Sequence, residues 1–245
     1  MKTVMKEVKR TDEVWLLWRD SARSPAMNMA IDELLLESLL PVGRPLLRLY
    51  SWDRPSASFG YSQAPSAVLR KGLSLVRRPT GGGVVYHDND LTYTIAIPAT
   101  HKLSSLDRME SYKVLHEAVL EALSQLGVHA SLAPDSIKPH DRATLQCFVS
   151  PSPSDVVAED GPKLAGAAQR RTRQGILHQG SIALLEGVQR APASAALIES
   201  VARKFNACFE LFIPSEKMLD SAAKLANLKY QSEAWNLRKE CPALD

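Results

Sequence analysis

The chain has 245 residues, 45% of them hydrophobic and 23% charged, enough to bury one substantial core and ordinary for a cytoplasmic globular protein. Its 30 basic and 27 acidic residues give a net charge of +3, too balanced for nucleic acid or an anionic membrane to be the principal partner. No run reaches the roughly 20 apolar residues that span a bilayer, the opening MKTVMKEVKR lacks the apolar core of a signal peptide, and Cys147, Cys208 and Cys241 are too scattered for a disulfide framework or a metal site.

In chain order, MAIDELLLESL (29–39) repeats Met29, Ile31, Leu34, Leu35 and Leu39 at helical spacing, with Asn28 able to cap the helix and Pro41 stopping it. LLRLY (46–50), SASFG (56–60) and LSLVRR (73–78) have strand character and are separated by turn-forming stretches. LTYTIAIP (91–98) alternates Leu91, Tyr93, Ile95 and Ile97 against Thr92, Thr94 and Ala96, the period of a half-buried strand. SYKVLHEAVLEALSQL (111–126) keeps Leu115, Val119, Ala122, Leu123 and Leu126 on one helical face and ends at Gly127. SDVVAE, KLAGAAQRR and GILHQGSIALL read as neighbouring antiparallel strands joined by Asp160-Gly161 and Gln-Gly turns, and helices over about 192–206 and 215–228 follow, with Cys208 beside Phe205 and Phe209 on a helix. Strands interrupted by helices without regular alternation predict an α+β fold, taken as a single domain over residues 1–245.

Two stretches carry chemistry. RRPTGGGVVYHD (77–88) sets three bare residues between two arginines and a histidine: Gly81, Gly82 and Gly83 can adopt positive φ angles and offer N–H groups to an anion or a carbonyl oxygen. It is neither a P-loop nor a dinucleotide fingerprint, and a wide turn is the plain alternative. Further on, the Asp160-Gly161 turn brings the segment after Cys147 back against Lys163. A thiolate beside a cation is a strong nucleophile, and a lysine in the same pocket can supply that charge or hold a carbonyl oxygen. A lone cysteine is otherwise a small buried apolar residue, and a lysine otherwise a solvated strand residue.

Arg77-Arg-Pro-Thr-Gly-Gly-Gly-Val-Val-Tyr-His-Asp88, Lys163-Leu-Ala-Gly-Ala-Ala-Gln-Arg-Arg171 and Leu177-His-Gln-Gly-Ser-Ile182 resemble the three blocks of the lipoate-protein ligase and octanoyltransferase superfamily, which also includes biotin-protein ligases. Met27-Asn-Met-Ala-Ile-Asp-Glu33, Leu47-Arg-Leu-Tyr-Ser-Trp52 and Ser58-Phe-Gly-Tyr-Ser-Gln63 resemble its opening helix and first strands in the same order, so the likeness runs from about residue 27 to Trp235. It implies a central, mostly antiparallel sheet flanked by helices and a medium-chain acyl group held in a tunnel. The glycine loop (Gly81, Gly82, Gly83) with Arg78 and His87, and Lys163 with Gly166 and His178, would then meet the acyl carbonyl. Phe59, Val85 and Tyr93 are candidates for the tunnel wall, and core packing explains them equally.

The superfamily divides on how the acyl group is activated. In the transferase branch a cysteine, here Cys147, takes octanoyl from acyl carrier protein as a thioester and passes it to a lysine of a lipoyl domain or glycine-cleavage H protein, with no cofactor. In the ligase branch ATP and Mg make an acyl-adenylate. Cys147 points to the first, whereas Gly83, where that branch commonly has arginine, and the Tyr86-His87 pair point to the second. With Asp245 as the last residue, no C-terminal accessory domain like that of many ligases is expected, and octanoyl transfer is the favoured reading. A ligase completed by a separate accessory chain is the alternative, and a non-catalytic carrier-binding module the third. Between His178 and His87 as proton relay the choice stays open. His101, His116, His129 and His140 read as surface or cap residues, and Arg170, Arg171 and Arg173 as a basic edge able to steer an acidic carrier.

Overall fold

The computed structural model describes residues 13–39, 42–137, 148–149, 151–159 and 161–241. Along the chain stand β1 (Glu13–Arg23), α1 (Pro25–Leu39), β2 (Leu46–Trp52), β3 (Ser56–Phe59), β4 (Ser74–Arg77), β5 (Val85–Tyr86), β6 (Asp90–Pro98), α2 (Arg108–Gln125), β7 (Ala130–Leu132), β8 (Val156–Ala158), β9 (Lys163–Thr172), β10 (Gly175–Ala183), α3 (Arg190–Phe205), β11 (Ala207–Leu211) and α4 (Glu216–Leu225). Eight strands form one sheet in the order β11-β1-β2-β6-β10-β9-β8-β7. β1 pairs parallel with β11 and β2, and the other five pairings are antiparallel, which is the α+β architecture expected. β3, β4 and β5 make a separate three-stranded sheet that carries the glycine loop.

Period-2 alternation divides the large sheet into two faces. Leu91, Tyr93, Ile95 and Ile97 of β6 meet Leu115, Val119 and Leu123 of α2 and Leu197 and Val201 of α3 in one core. Ala96 joins Met29, Ile31 and Leu35 of α1 and Ala222 and Leu225 of α4 in the other. All nine residues of β6 are buried, so the half-buried strand expected from its alternation is covered on both sides: the threonines face α1 rather than water. β1, β7 and β11 escaped the sequence reading, and Cys208 sits exposed on strand β11, not on a helix.

Helix ends follow local chemistry. α2 begins with a capping box in which Asp107 and Glu110 satisfy each other's backbone N–H groups. α1 begins at Pro25, whose fixed φ suits a first helical position, and Ser24 Oγ accepts from the Met27 N–H at 3.3 Å. Asn28 is therefore inside the helix and not its cap; its side chain donates to the Ser51 carbonyl at 3.0 Å and accepts from Arg48 at 2.8 Å. Arg48, fully buried, also reaches Asp20 and Asp32, each at 2.7 Å. Asp32 in turn accepts from Tyr50, Thr94 and Gln179, so the buried charges are matched on every side, as a buried arginine requires. Among the described residues no helix is long and apolar enough to cross a membrane.

Candidate active site

Neighbouring arginines of the glycine block do different work. Arg77 ties the loop to the C-terminal segment through the carbonyls of Trp235 (3.0 Å) and Asn236 (2.7 Å). Arg78 turns inward, donating to Ser58 Oγ at 2.9 Å and to the carbonyls of Gly81 and Gly83 at 2.8 and 2.7 Å. The loop is thus wrapped around a guanidinium. Gly82 takes φ +82° and faces Ala168 of β9, where an added Cβ would come within 3.3 Å. Thr80 donates to Gln179 at 2.7 Å, and Gln179 donates to Asp32 at 2.7 Å, which joins the loop to the buried Arg48 network.

The opposite wall is the lysine block. The Lys163 ammonium, buried, pairs with Asp155 at 2.7 Å. Asp155 is itself held by the Tyr112 hydroxyl at 2.5 Å and the Ser152 N–H at 2.6 Å. Tyr112 also accepts from the Ala167 N–H of β9 at 3.0 Å. The spacing within the block has a physical cause: a Cβ on Gly166 would fall 2.2 Å from Lys163 Cε and 2.4 Å from Nζ. Gly166 is bare because the lysine side chain lies across it.

Between these walls runs a cleft of about 520 Å³, including its open mouth, whose lining includes Met29, Tyr50, Val85 and Ser152. Its floor follows the register Gly166–Ser181–Thr92–Tyr50 across β9, β10, β6 and β2. Paired residues in antiparallel strands share a face, so all four lie on the α1 side. At the β2 end Asp90 accepts from Thr92 (2.7 Å), Ser181 (2.6 Å) and His87 Nδ1 (3.0 Å). These bonds hold the Asp90 carboxyl below the usual range: burial pushes it up, but His87 and the two hydroxyls outweigh burial. With its proton on Nδ1, His87 accepts at Nε2 from Ser58, 2.8 Å away. Trp52 stacks on His87 with centroids 3.9 Å apart and donates to Thr92 Oγ1 at 3.0 Å.

Of the expected site residues, Arg78, Gly82, Gly83, His87, Lys163 and Gly166 come together in this cleft. Gly81 contributes only its carbonyl to Arg78 and does not line it. His178 does not line it either: even-numbered on β10, it points away from Gln179 and Ser181 to the α2 side, near Tyr93, Tyr112 and His116. Burial, with His116 adding to it, pushes His178 well below the ordinary histidine value. Cys147 lies outside the described residues, as does His140. Val85 lines the cleft, whereas Phe59 and Tyr93 are core.

His116, expected at the surface, is fully buried on α2; it donates from Nδ1 to the Ser154 carbonyl at 2.7 Å, and its Nε2 has no partner among the described residues. Burial pushes its pKa down to about 4. Arg171 is not a free steering charge, since it binds the carbonyls of Ser104 and Leu106 at 2.8 and 2.7 Å. Ser58, Asp90, Tyr112, Asp155, Trp52 and Gln179 were not singled out from sequence. Asp90 alone left a local signal, a carboxylate three residues after His87.

Residues 24–205 match the model of the lipoyl protein ligase A/B catalytic domain. The chain belongs to that family. It is 38% identical over 188 residues to Octanoyltransferase LipM of Geobacillus kaustophilus, covering 70% of this chain and 66% of that protein's length. To Octanoyltransferase LipM of Bacillus subtilis it is 33% identical over 281 residues, covering 93% and 99%. Its fold matches a bi-partite lipoate protein ligase from Thermoplasma acidophilum (TM-score 0.75, 22% identity, covering 95% of this chain and 100% of that one). It also matches a lipoate-protein ligase A bound with ATP (TM-score 0.73, 22% identity, 92% and 98%).

Proposed function

We propose that the chain is an octanoyltransferase of protein lipoylation, taking a medium-chain acyl group from the thioester of acyl carrier protein and passing it to a lysine of a lipoyl domain or H protein. One observation carries the reading above the others: a buried ammonium, Lys163, held by Asp155 and seated over a bare glycine, reaches into a cleft whose opposite wall is the glycine loop. The relatives named octanoyltransferase, at 31–38% identity, favour transfer over ATP-dependent ligation. The transferase reading uses no cofactor, whereas ATP and Mg belong to the ligase.

The chemistry runs in two halves. The Cys147 sulfur gives up its proton and attacks the acyl thioester carbon, the bond to the carrier sulfur breaks, and that sulfur takes up the proton, so the carrier leaves as its thiol. Lys163 stabilises the oxyanion that forms on the carbonyl oxygen in each half, together with N–H groups of the glycine loop. The acceptor ε-amine then attacks; the bond to Cys147 breaks as the amide forms, and the proton shed by the amine returns to the Cys147 sulfur. Cys147 stands five residues before the cleft residue Ser152, a stretch that reaches at most about 17 Å. Arg170, half-buried beside Glu33, and exposed Arg173 remain as charges for an acidic carrier.

Intact-protein mass spectrometry with octanoyl carrier protein, in the absence of ATP, tests the cysteine. An octanoyl adduct labile to hydroxylamine and missing from Cys147→Ala is expected. Absence of the adduct, together with ATP-dependent attachment of lipoate to a lipoyl domain by both proteins, overturns the reading in favour of the ligase.

A further inference from the structure

Strand β8 begins only at Val156, and its pairing with β9 ends at Ala165. Just before it, Ser154 takes φ +64°, a left-handed turn uncommon for a residue other than glycine, and the chain leaves the edge of β9 there. The Ser154 carbonyl and the N–H of Ala167 on β9 are thereby left to find partners outside the strand ladder. Two residues one turn apart on α2 supply them. His116 Nδ1 donates to the Ser154 carbonyl at 2.7 Å, and the Tyr112 hydroxyl accepts from the Ala167 N–H at 3.0 Å. The same hydroxyl lies 2.5 Å from Asp155 Oδ1 and 3.2 Å from the Ala167 carbonyl. It has one proton to give, and the shorter bond, to a charged acceptor, takes it.

We propose that Tyr112 is a positioning residue of acyl transfer, which locks the Asp155 carboxylate in the orientation that holds the Lys163 ammonium in the cleft. The two carboxylate oxygens are attached to different parts of the molecule. Oδ2 accepts from the Ser152 N–H at 2.6 Å and pairs with the Lys163 ammonium at 2.7 Å, whereas Oδ1 takes the Tyr112 proton. The torsion that turns a carboxylate about its own axis is broad and soft, so bonds to Oδ2 leave the group able to swing and the bond to Oδ1 stops it. Tyr112 is fixed in turn: its ring lies 4.2 Å from that of His116, and its oxygen is tied to β9, the strand that carries Lys163 and Gly166. One hydroxyl thus joins the carboxylate to the lysine's own strand, one residue along from the glycine over which the ammonium lies. Tyr112 does not line the cleft and acts through Asp155 alone. A swung carboxylate draws the ammonium with it, and a displacement of about 1 Å from the reacting atom costs on the order of a hundredfold in rate.

The proposal rests on the reading of Lys163 as the group that stabilises the acyl oxyanion, and a double-substitution cycle separates the two. Single-turnover octanoyl transfer from carrier protein to a lipoyl domain is measured without ATP, across carrier concentrations, for the native protein, Tyr112→Phe, Lys163→Met and the double variant. Phenylalanine keeps the ring against His116 and removes only the hydroxyl. In Tyr112→Phe the rate at saturation should fall about tenfold to a hundredfold, with the half-saturating carrier concentration within about twofold of native. Once Lys163 is methionine, the same substitution should change the rate by less than about twofold. Partial unfolding or loosened packing lowers both backgrounds alike, so an equal loss on both, or an unchanged rate in Tyr112→Phe, overturns the positioning role and leaves the functional reading standing. A native protein that transfers no octanoyl, or a Lys163→Met protein as fast as native, overturns that reading and the positioning role with it.

Discussion

At the Lys163 end of the cleft a buried ammonium is paired to one carboxylate, Asp155, which is steadied by Tyr112 and a backbone N–H. At the Trp52 end a buried carboxylate, Asp90, is surrounded by hydroxyls and an imidazole, and the outermost surface is an indole ring. Both ends are polar and both are buried. They differ in what reaches the cleft: a charge at one, ring faces at the other. A charge that lines an apolar cleft can follow electron density onto a carbonyl oxygen, whereas a network whose donors and acceptors satisfy one another is a rigid wall.

Removing the carboxylate should separate the two ends most strongly. Asp155→Ala removes the carboxylate paired with a buried ammonium and is expected to cost about 3–5 kcal/mol, read as a lowered urea midpoint at unchanged slope. Asp90→Asn keeps hydrogen-bonding capacity at the far end and should cost about 1–2 kcal/mol. Equal losses would erase the distinction.

Acid should act through the α2 side of the sheet. His116 binds its proton in the unfolded chain below about 6.5 and in the folded chain only below about 4. Between those values the unfolded state holds the extra proton, so stability is lost as pH falls. Of the decrease between pH 7 and pH 5, about 2 kcal/mol is assigned to this residue and should vanish in His116→Gln, measured by urea unfolding at both values. A decrease of the same size in the variant would assign the acid sensitivity to other groups.

Gly166→Ala sharpens the contrast from the charged side. The new methyl would meet Lys163 Cε and Nζ at 2.2 and 2.4 Å and Asp155 Oδ1 at 3.2 Å, so the buried ion pair must shift and stability should fall by about 1–3 kcal/mol. The ammonium is pushed off its seat as well, and octanoyl transfer should fall about tenfold to a hundredfold. A large loss of stability with transfer per folded molecule intact would show that the glycine serves the strand and not the lysine. The smallest effect is expected at His178, which faces away from the cleft: His178→Gln should leave single-turnover transfer within about threefold, while a loss near a hundredfold would return it to the site.

What could be read before the structure follows the range over which each signal acts. LTYTIAIP declared its two faces by alternation and GGG its bare loop, because both are local. The run VWLLW in β1 has no alternation, since Trp15 and Leu17 face one core and Leu16 and Trp18 the other, and it was passed over. Lys163 and Gly166 were recognised as a block, but their contact arises because the lysine side chain folds over the strand. Tyr112, Asp155 and Trp52 acquire their roles from register: Tyr112 is 43 residues from Asp155 and Trp52 is 40 from Thr92. His116 misled because a histidine on an amphipathic helix looks solvated until α2 packs down.

The most direct measurement is single-turnover octanoyl transfer from carrier protein to a lipoyl-domain lysine in ATP-depleted buffer, with the modified lysine mapped by mass, for the native protein and Lys163→Met. The expected result is transfer without ATP, reduced about a hundredfold to a thousandfold by the loss of the ammonium. Transfer that appears only when ATP is restored, or that proceeds equally well in Lys163→Met, would contradict it.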